Sequence, residues 1–336
     1  MSIDTLKEEI KSNELRNLYL FYGEEEYLKK YYLESIDKII LKDDLTGLNK
    51  IVLEGKAEAS RIVEACETMP VFSEHKLVVV KNSGAFKSKK DTGKQSIKDE
   101  LLEYLNNIPP FTCLVFYEEE IDKRLKLVDI IKKKGLIVEF PYQKPNELVK
   151  WVVKAFKSNG KEIDASTASF LVDISESGMT EILNEINKVV LFLGERSKVG
   201  SDDIRKVCTK SIKSRIFDLT DAIAERNITA ALKLLNDMII LKEPLPKILF
   251  MIARQLRHIL EMKLLYNEGM GMKEACSKIG ITPYAGSKVL KQAASFSIDK
   301  LKSAIEETLE LDLAIKTGRI NDRTATEILI CKLAQN

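Results

Sequence analysis

Four stretches of the 336-residue sequence carry side chains that could do chemistry. The first is Gly23-Glu24-Glu25-Glu26-Tyr27-Leu28-Lys29-Lys30, a glycine at the end of an apolar run that leads into a helical pattern. A phosphate-cradling loop needs glycines so that backbone N–H groups can approach the phosphates. It also needs a lysine and a magnesium-binding hydroxyl, in the order Gly-x-x-x-x-Gly-Lys-Ser/Thr. Here the second glycine, its lysine and the hydroxyl are missing, and three carboxylates stand where a triphosphate needs positive surroundings. Those carboxylates suit the unliganded positive end of a helix. The second stretch, Leu77–Val80, runs into Lys81-Asn82 and offers no acid to a metal ion, so metal-assisted hydrolysis lacks cradle and ligands alike. The third is Glu118-Glu119-Glu120. Consecutive loop side chains do not converge on one substrate, and no histidine or nucleophile is near in sequence, so it reads as a solvated acidic turn. No catalytic residue is assigned.

The fourth stretch is Met69-Pro70-Val71-Phe72. Pro70 stops the helix before it, because the residue preceding a proline avoids the helical region. Three large apolar side chains then fall in a short connection. They either fold back onto the domain or stand outward as a wedge for a partner's pocket. Burying each fully is worth roughly 1.5–3 kcal/mol, so two or three make a binding hot spot.

The elements that must position these residues follow from hydrophobic period. LYLFYG (18–23), IVLEG (51–55), KLVVV (76–80), CLVFY (113–117) and LIVEF (136–140) are short, β-branched and aromatic, and several are too continuous for one-sided strands. They predict buried strands of a mostly parallel sheet. Helical stretches between them (25–40, 60–68, 95–106, 123–133) make residues 1–140 an open α/β layer structure. The polar stretch 83–96, with four lysines, reads as a mobile surface loop. Beyond Phe140-Pro141 the pattern is helical only. A block of lid size spans 141–209, with Gly178 and Gly194 as punctuation and Ser201 as the expected N-cap of a short helix. Seven further helical segments fill 210–336, enough for an all-α bundle.

Two basic stripes lie in that last region. Arg254, Arg257 and His258 share one helical face, as do Lys316, Arg319 and Arg323. They could follow phosphates, or pair with Glu261, Glu310 or Asp312; pairing is the favoured reading. Residues 210–336 carry 20 Lys+Arg against 15 Asp+Glu, and 1–209 carry 33 against 36, an excess too small for a dedicated DNA-binding domain.

No apolar run approaches the ~20 residues that span a bilayer, and MSIDTLKEEI lacks a signal-peptide core. Cys66, Cys113, Cys208, Cys276 and Cys331 are scattered and form no CxxC. They read as reduced core thiols in the cytoplasm, not as a disulfide framework or zinc knuckle. Two histidines are too few for a histidine-rich metal site.

The run Met69-Pro70-Val71-Phe72-Ser73-Glu74-His75-Lys76-Leu77-Val78-Val79-Val80 resembles the "LF, polar turn, LVVV" signature of the delta subunit family of bacterial DNA polymerase III, the wrench of the sliding-clamp loader. Other stretches are similar to that family in order: Leu18–Glu25 to its opening strand, Glu185-Ile186-Asn187-Lys188 to a lid-helix Glu-x-x-Lys, and Ile216-Phe217-Asp218-Leu219 with Ala222 to the collar start. Arg254-Gln255-Leu256-Arg257 and Ile315-Lys316-Thr317-Gly318 match two collar helices.

The resemblance implies an AAA+-like α/β module over 1–140, a three-helix lid over 141–209 and a helical collar over 210–336. The collar would join the other loader subunits, tau/gamma and delta-prime, around primer–template DNA. It also implies no ATP or metal cofactor and no intrinsic catalysis, within a cytoplasmic DNA-directed DNA polymerase (nucleotidyltransferase) holoenzyme. The Ser-Arg-Cys finger and zinc-binding cysteines of the sister subunits are absent from the sequence. Carried over by position, the clamp contact falls on Met69, Val71 and Phe72, with Val71 shorter than the leucine often found there. The implied mechanism is mechanical: the wedge enters a pocket at the clamp edge and shifts the clamp towards open conformers. The competing readings are an active AAA+ ATPase and an AAA+-like scaffold of another replication, repair or recombination assembly.

Overall fold

A computed structural model describes residues 2–42, 44, 47–55, 58–87, 97–176 and 178–335. The chain divides into two compact units, Met1–Tyr142 and Gln143–Asn336.

The first unit is built on five strands, β1 (Leu18–Tyr22), β2 (Lys50–Glu54), β3 (Lys76–Lys81), β4 (Thr112–Tyr117) and β5 (Leu136–Glu139). All pair in parallel, in the order β2-β3-β4-β1-β5. Strands β1, β3 and β4 occupy the centre and are buried along almost their whole length, as continuous apolar runs require. Strand β2 is an edge and alternates between half-buried and exposed residues.

Five helices cover the sheet: α1 (Ser2–Ser12), α2 (Glu26–Ile40), α3 (Ala59–Glu67), α4 (Ile97–Tyr104) and α5 (Lys126–Lys134). Because successive strand residues point to opposite faces, Leu20, Val78, Val80, Leu114 and Phe116 form one core with Ile62, Leu101 and Ile131 of α3, α4 and α5. Tyr19, Phe21, Val79 and Val115 form the other with Leu33 and Ile36 of α2 and Leu6 of α1. The sequence pattern did not announce α1, which packs on strand β5.

The expected 83–96 surface loop needs correction at its start. Ser83, Ala85 and Phe86 are buried, and Phe86 packs edge-to-face on Phe116 with ring centres 5.1 Å apart. The aromatic ring outweighs the polar residues around it. Positions 88–96 lie outside the described residues.

The second unit is helical, as its period predicts, apart from one bridge between Glu162 and Lys198. It comprises α6 (Pro145–Ser158), α7 (Ala165–Ile174), α8 (Met179–Leu193), α9 (Ser201–Val207), α10 (Ile212–Ala224), α11 (Ile228–Ile240), α12 (Leu245–Asn267), α13 (Met272–Ile279), α14 (Pro283–Ala294), α15 (Ile298–Lys316) and α16 (Asp322–Gln335). Ser201 is the first residue of α9 rather than its cap. The cap is Gly200, whose N–H donates to the Asp203 carboxylate at 3.0 Å.

Within this unit α7 packs against α10 and α14. The buried Asp173 of α7 accepts a short hydrogen bond from the hydroxyl of Thr282, the N-cap of α14, and its other oxygen lies 3.8 Å from the ammonium of Lys213. A single apolar core runs through α10 to α16, with Leu219, Met238, Ile252, Ile259, Val289 and Leu329 fully enclosed.

Candidate functional site

Helix α3 ends at Glu67, and Thr68 follows in extended conformation, two residues before Pro70. The chain then carries its three apolar side chains outward. Met69 is 73% exposed, Val71 40% and Phe72 92%. The alternative, that they fold back onto the sheet, is not what the structure adopts.

Outward does not mean loose. The side chain of Asn49, itself 1% exposed, meets both polar groups of Val71. Its Oδ1 accepts the Val71 N–H at 2.7 Å, and its Nδ2 donates to the Val71 carbonyl at 2.9 Å. On the helix side, the Lys76 ammonium donates to the Thr68 carbonyl at 2.8 Å, and burial pushes that ammonium's pKa below the ordinary lysine value. The Thr112 hydroxyl donates to the Cys66 carbonyl at 2.7 Å. Between these anchors Phe72 sits at φ +53°, in the left-handed region that a residue with a Cβ avoids.

At the opposite, carboxyl end of the strands lies the turn where related α/β folds hold phosphate. Here two of the turn's backbone donors are bonded within the protein. Gly23 has φ +121°, and a Cβ there would come within 2.3 Å of the Phe140 carbonyl oxygen, so only glycine fits. The Gly23 N–H donates to the Glu119 carbonyl at 3.0 Å, and the Glu25 N–H donates to the Phe140 carbonyl at 2.9 Å. These backbone donors, the kind a phosphate needs, are thereby spent on neighbouring strand ends.

Glu25 is buried and caps α2 by accepting the Tyr27 N–H. Lys29 is buried too. Its ammonium donates to the Glu118 carbonyl at 3.2 Å, pairs with Glu26 at 3.1 Å and stands 4.7 Å from the centre of the Tyr117 ring.

The acidic run 118–120 is a solvated turn only in part. Glu119 and Glu120 are exposed, but Glu118 is buried. It accepts the Ser83 N–H at 2.9 Å and the Ser83 hydroxyl at 2.6 Å, and burial raises its pKa above the usual carboxylate value. Strand β4 extends its interior position by one residue beyond the apolar run, and the Glu118 N–H still donates to Phe21.

The basic candidates split into two settings. Lys316 pairs with Asp312 at 2.7 Å, as expected, and Arg319 donates to the Thr317 hydroxyl. Arg254 and Arg257 are exposed on α12 and have no ion-pair partner among the described residues. Next to Arg257, His258 is half-buried. Burial and the charges of Arg254, Lys213 and Arg257 push its pKa down to about 4.

All five cysteines are free thiols, with those of Cys66 and Cys208 raised to about 12 by burial. No helix among the described residues is long and apolar enough to cross a membrane.

Sequence reasoning missed Asn49, Lys29 and the burial of Glu118. It also missed Leu48, 63% exposed beside Asn49. Asn49 lies 22 positions from Val71, and no local pattern marks such a pair.

A parallel five-stranded α/β unit followed by a helical second unit defines a chain of the α/β-then-helical class. Two family models match it: "DNA polymerase III, delta subunit" over residues 19–141 and "DNA polymerase III delta subunit, C-terminal domain" over 213–333. The chain belongs to the DNA polymerase III delta subunit family. It is 27% identical to the DNA polymerase III subunit delta of Bacillus subtilis over 96% of its own length and 94% of that relative. It is 22% identical to the probable DNA polymerase III subunit delta of Aquifex aeolicus, covering 79% and 75%. The solved structure of the Bacillus subtilis DNA clamp loader delta protein superposes over 100% of both chains with a TM-score of 0.54 and 26% identity.

Proposed function

We propose that this chain is the clamp-loader subunit that binds the sliding clamp through Met69, Val71 and Phe72 and holds it open, without catalysis of its own. The observation that carries the reading is the anchored apolar tip. A delta-family chain presents a phenylalanine 92% exposed on a connection tied down at both ends. Exposed apolar clusters on an otherwise polar surface mark interaction sites, and a pre-ordered cluster loses less entropy on binding.

The reading without nucleotide is supported by the turn after β1. There the Gly23 and Glu25 N–H groups are taken by the Glu119 and Phe140 carbonyls, and the Lys29 ammonium by the Glu118 carbonyl. In this proposal residues 141–209 act as the lid, and 210–336 as the collar that meets the tau/gamma and delta-prime subunits. Arg254 and Arg257, rather than the paired Lys316 and Arg319, are the side chains free to approach primer–template phosphate.

The test is binding of the full chain to the cognate sliding clamp in the absence of nucleotide, with and without Val71→Ser plus Phe72→Ser. Capture by the wild type, and its loss in the folded double variant, is the expected result. Undiminished capture overturns the assignment of the tip. Calorimetry with MgATP runs alongside, and a saturable heat favours the ATPase alternative instead.

A further inference from the structure

The hydrogen bonds of one buried side chain reach further than the fold requires. A carboxamide removed from water is costly unless its groups are paired. Asn49 directs both of its side-chain groups to a single residue, Val71, in the manner of one rung of a strand ladder. Its backbone carbonyl accepts the Leu77 N–H at 2.8 Å, so the same residue also holds the start of β3. Asn49 therefore closes a ring over residues 71–77, tying the point where the chain leaves the tip to the point where it re-enters the sheet. Its own N–H donates to the Asp44 carboxylate at 3.1 Å, which fixes the approach to β2.

Phe72 lies inside that ring at φ +53°. A phenylalanine in the left-handed region persists only where its surroundings over-determine it. The ring itself offers nothing in compensation, because it is almost wholly exposed and packs on no core. The constraint comes from the neighbouring backbone, where Asn49 grips Val71 on one side and the Ser73 hydroxyl bonds His75 on the other.

We propose that Asn49 is the positioning residue of the tip: its carboxamide pairs both polar groups of Val71 and so holds Val71 and Phe72 outward before a partner arrives. This rests on the clamp-binding reading above. It adds a residue that touches no partner and acts through the presentation of others. Without the grip, the 69–73 backbone regains conformations that must be lost again on binding. Fixing the backbone of one residue has a cost close to a tenfold change in affinity.

The experiment is a double-mutant cycle on the full chain, with Asn49→Ala and Phe72→Ala singly and together. Affinity for the cognate sliding clamp, thermal unfolding and deuterium exchange of the Val71 amide are followed. Asn49→Ala is expected to unprotect that amide and to weaken clamp binding by about tenfold, although it removes no exposed apolar atom. The Phe72→Ala loss should be smaller in the Asn49→Ala background than in the wild type, because a ring that is no longer presented has less to lose. A merely structural Asn49 lowers the unfolding temperature and leaves the clamp losses additive, which overturns the proposal. If Phe72→Ala alone leaves affinity unchanged, the clamp reading itself fails. If Phe72→Ala weakens binding and Asn49→Ala does not, only the positioning role fails. Should Asn49→Ala not fold, Asn49→Asp enters the same cycle. It keeps the acceptor for the Val71 N–H and removes the donor to the Val71 carbonyl, and the same criteria apply.

Discussion

Replacing Phe72 by glycine separates what the tip does for the fold from what it does for a partner. The ring is 92% exposed, so its removal takes no packing from the core. The left-handed φ of +53° costs a residue with a Cβ roughly 1–2 kcal/mol, and glycine is relieved of that cost. Against this, glycine raises the entropy of the unfolded chain by roughly 0.5–1 kcal/mol. The two nearly cancel, so unfolding free energy should stay within about 1 kcal/mol of wild type, a shift of roughly 2–4 °C for a domain of this size. Binding is affected differently. Burying a phenylalanine that starts almost fully exposed contributes about 2 kcal/mol, and losing it weakens the complex roughly 30-fold. The assay is a clamp titration paired with thermal melts of the full chain. A Phe72→Gly protein that melts many degrees lower refutes the claim that the ring packs on nothing. One that melts normally and binds the clamp as tightly as wild type refutes the wedge.

Two predictions concern buried titratable groups. Glu118 has its pKa raised by burial, so the folded state holds a proton at pH values where the unfolded chain has released it. Its contribution therefore falls as pH rises from the ordinary carboxylate value through the raised one. Glu118→Gln, which keeps an acceptor for Ser83, should melt higher than wild type near pH 7 and lose that advantage in acid. His258, pushed down to about 4, is neutral in the folded state while the unfolded histidine protonates near 6.5. Stability should fall as pH drops from 6.5 towards 4. The His258 ring titration, followed by NMR, should move upward in Arg254→Ala, and an unmoved midpoint contradicts the arrangement of charges on α12.

How much of this was legible beforehand depends on the range of the interaction. The five strands were readable because β-branched and aromatic residues gather in short runs that no helix period fits, and their burial on both faces matches that continuity. The stop at Pro70 and the missing phosphate loop were likewise local. Helix α1 was not legible, because its mostly polar sequence packs through few residues, chiefly Leu6. Glu118 was misjudged since its partner, Ser83, is 35 positions away. Ser201 looked like a cap by residue type, but the carboxylate of Asp203 served the preceding glycine N–H instead. Asn49 gave no signal, because a buried asparagine and a surface asparagine look alike until the chain folds.

Strand β3 leaves the tip and runs straight into the middle of the sheet, flanked by β2 over one ladder and β4 over the other. Tension applied at Phe72 along that strand loads every rung of both ladders sideways and together, instead of peeling them open one after another. A connection attached to an edge strand would unzip under the same tug. This attachment moors an almost fully exposed aromatic ring to a strand that is paired on both sides.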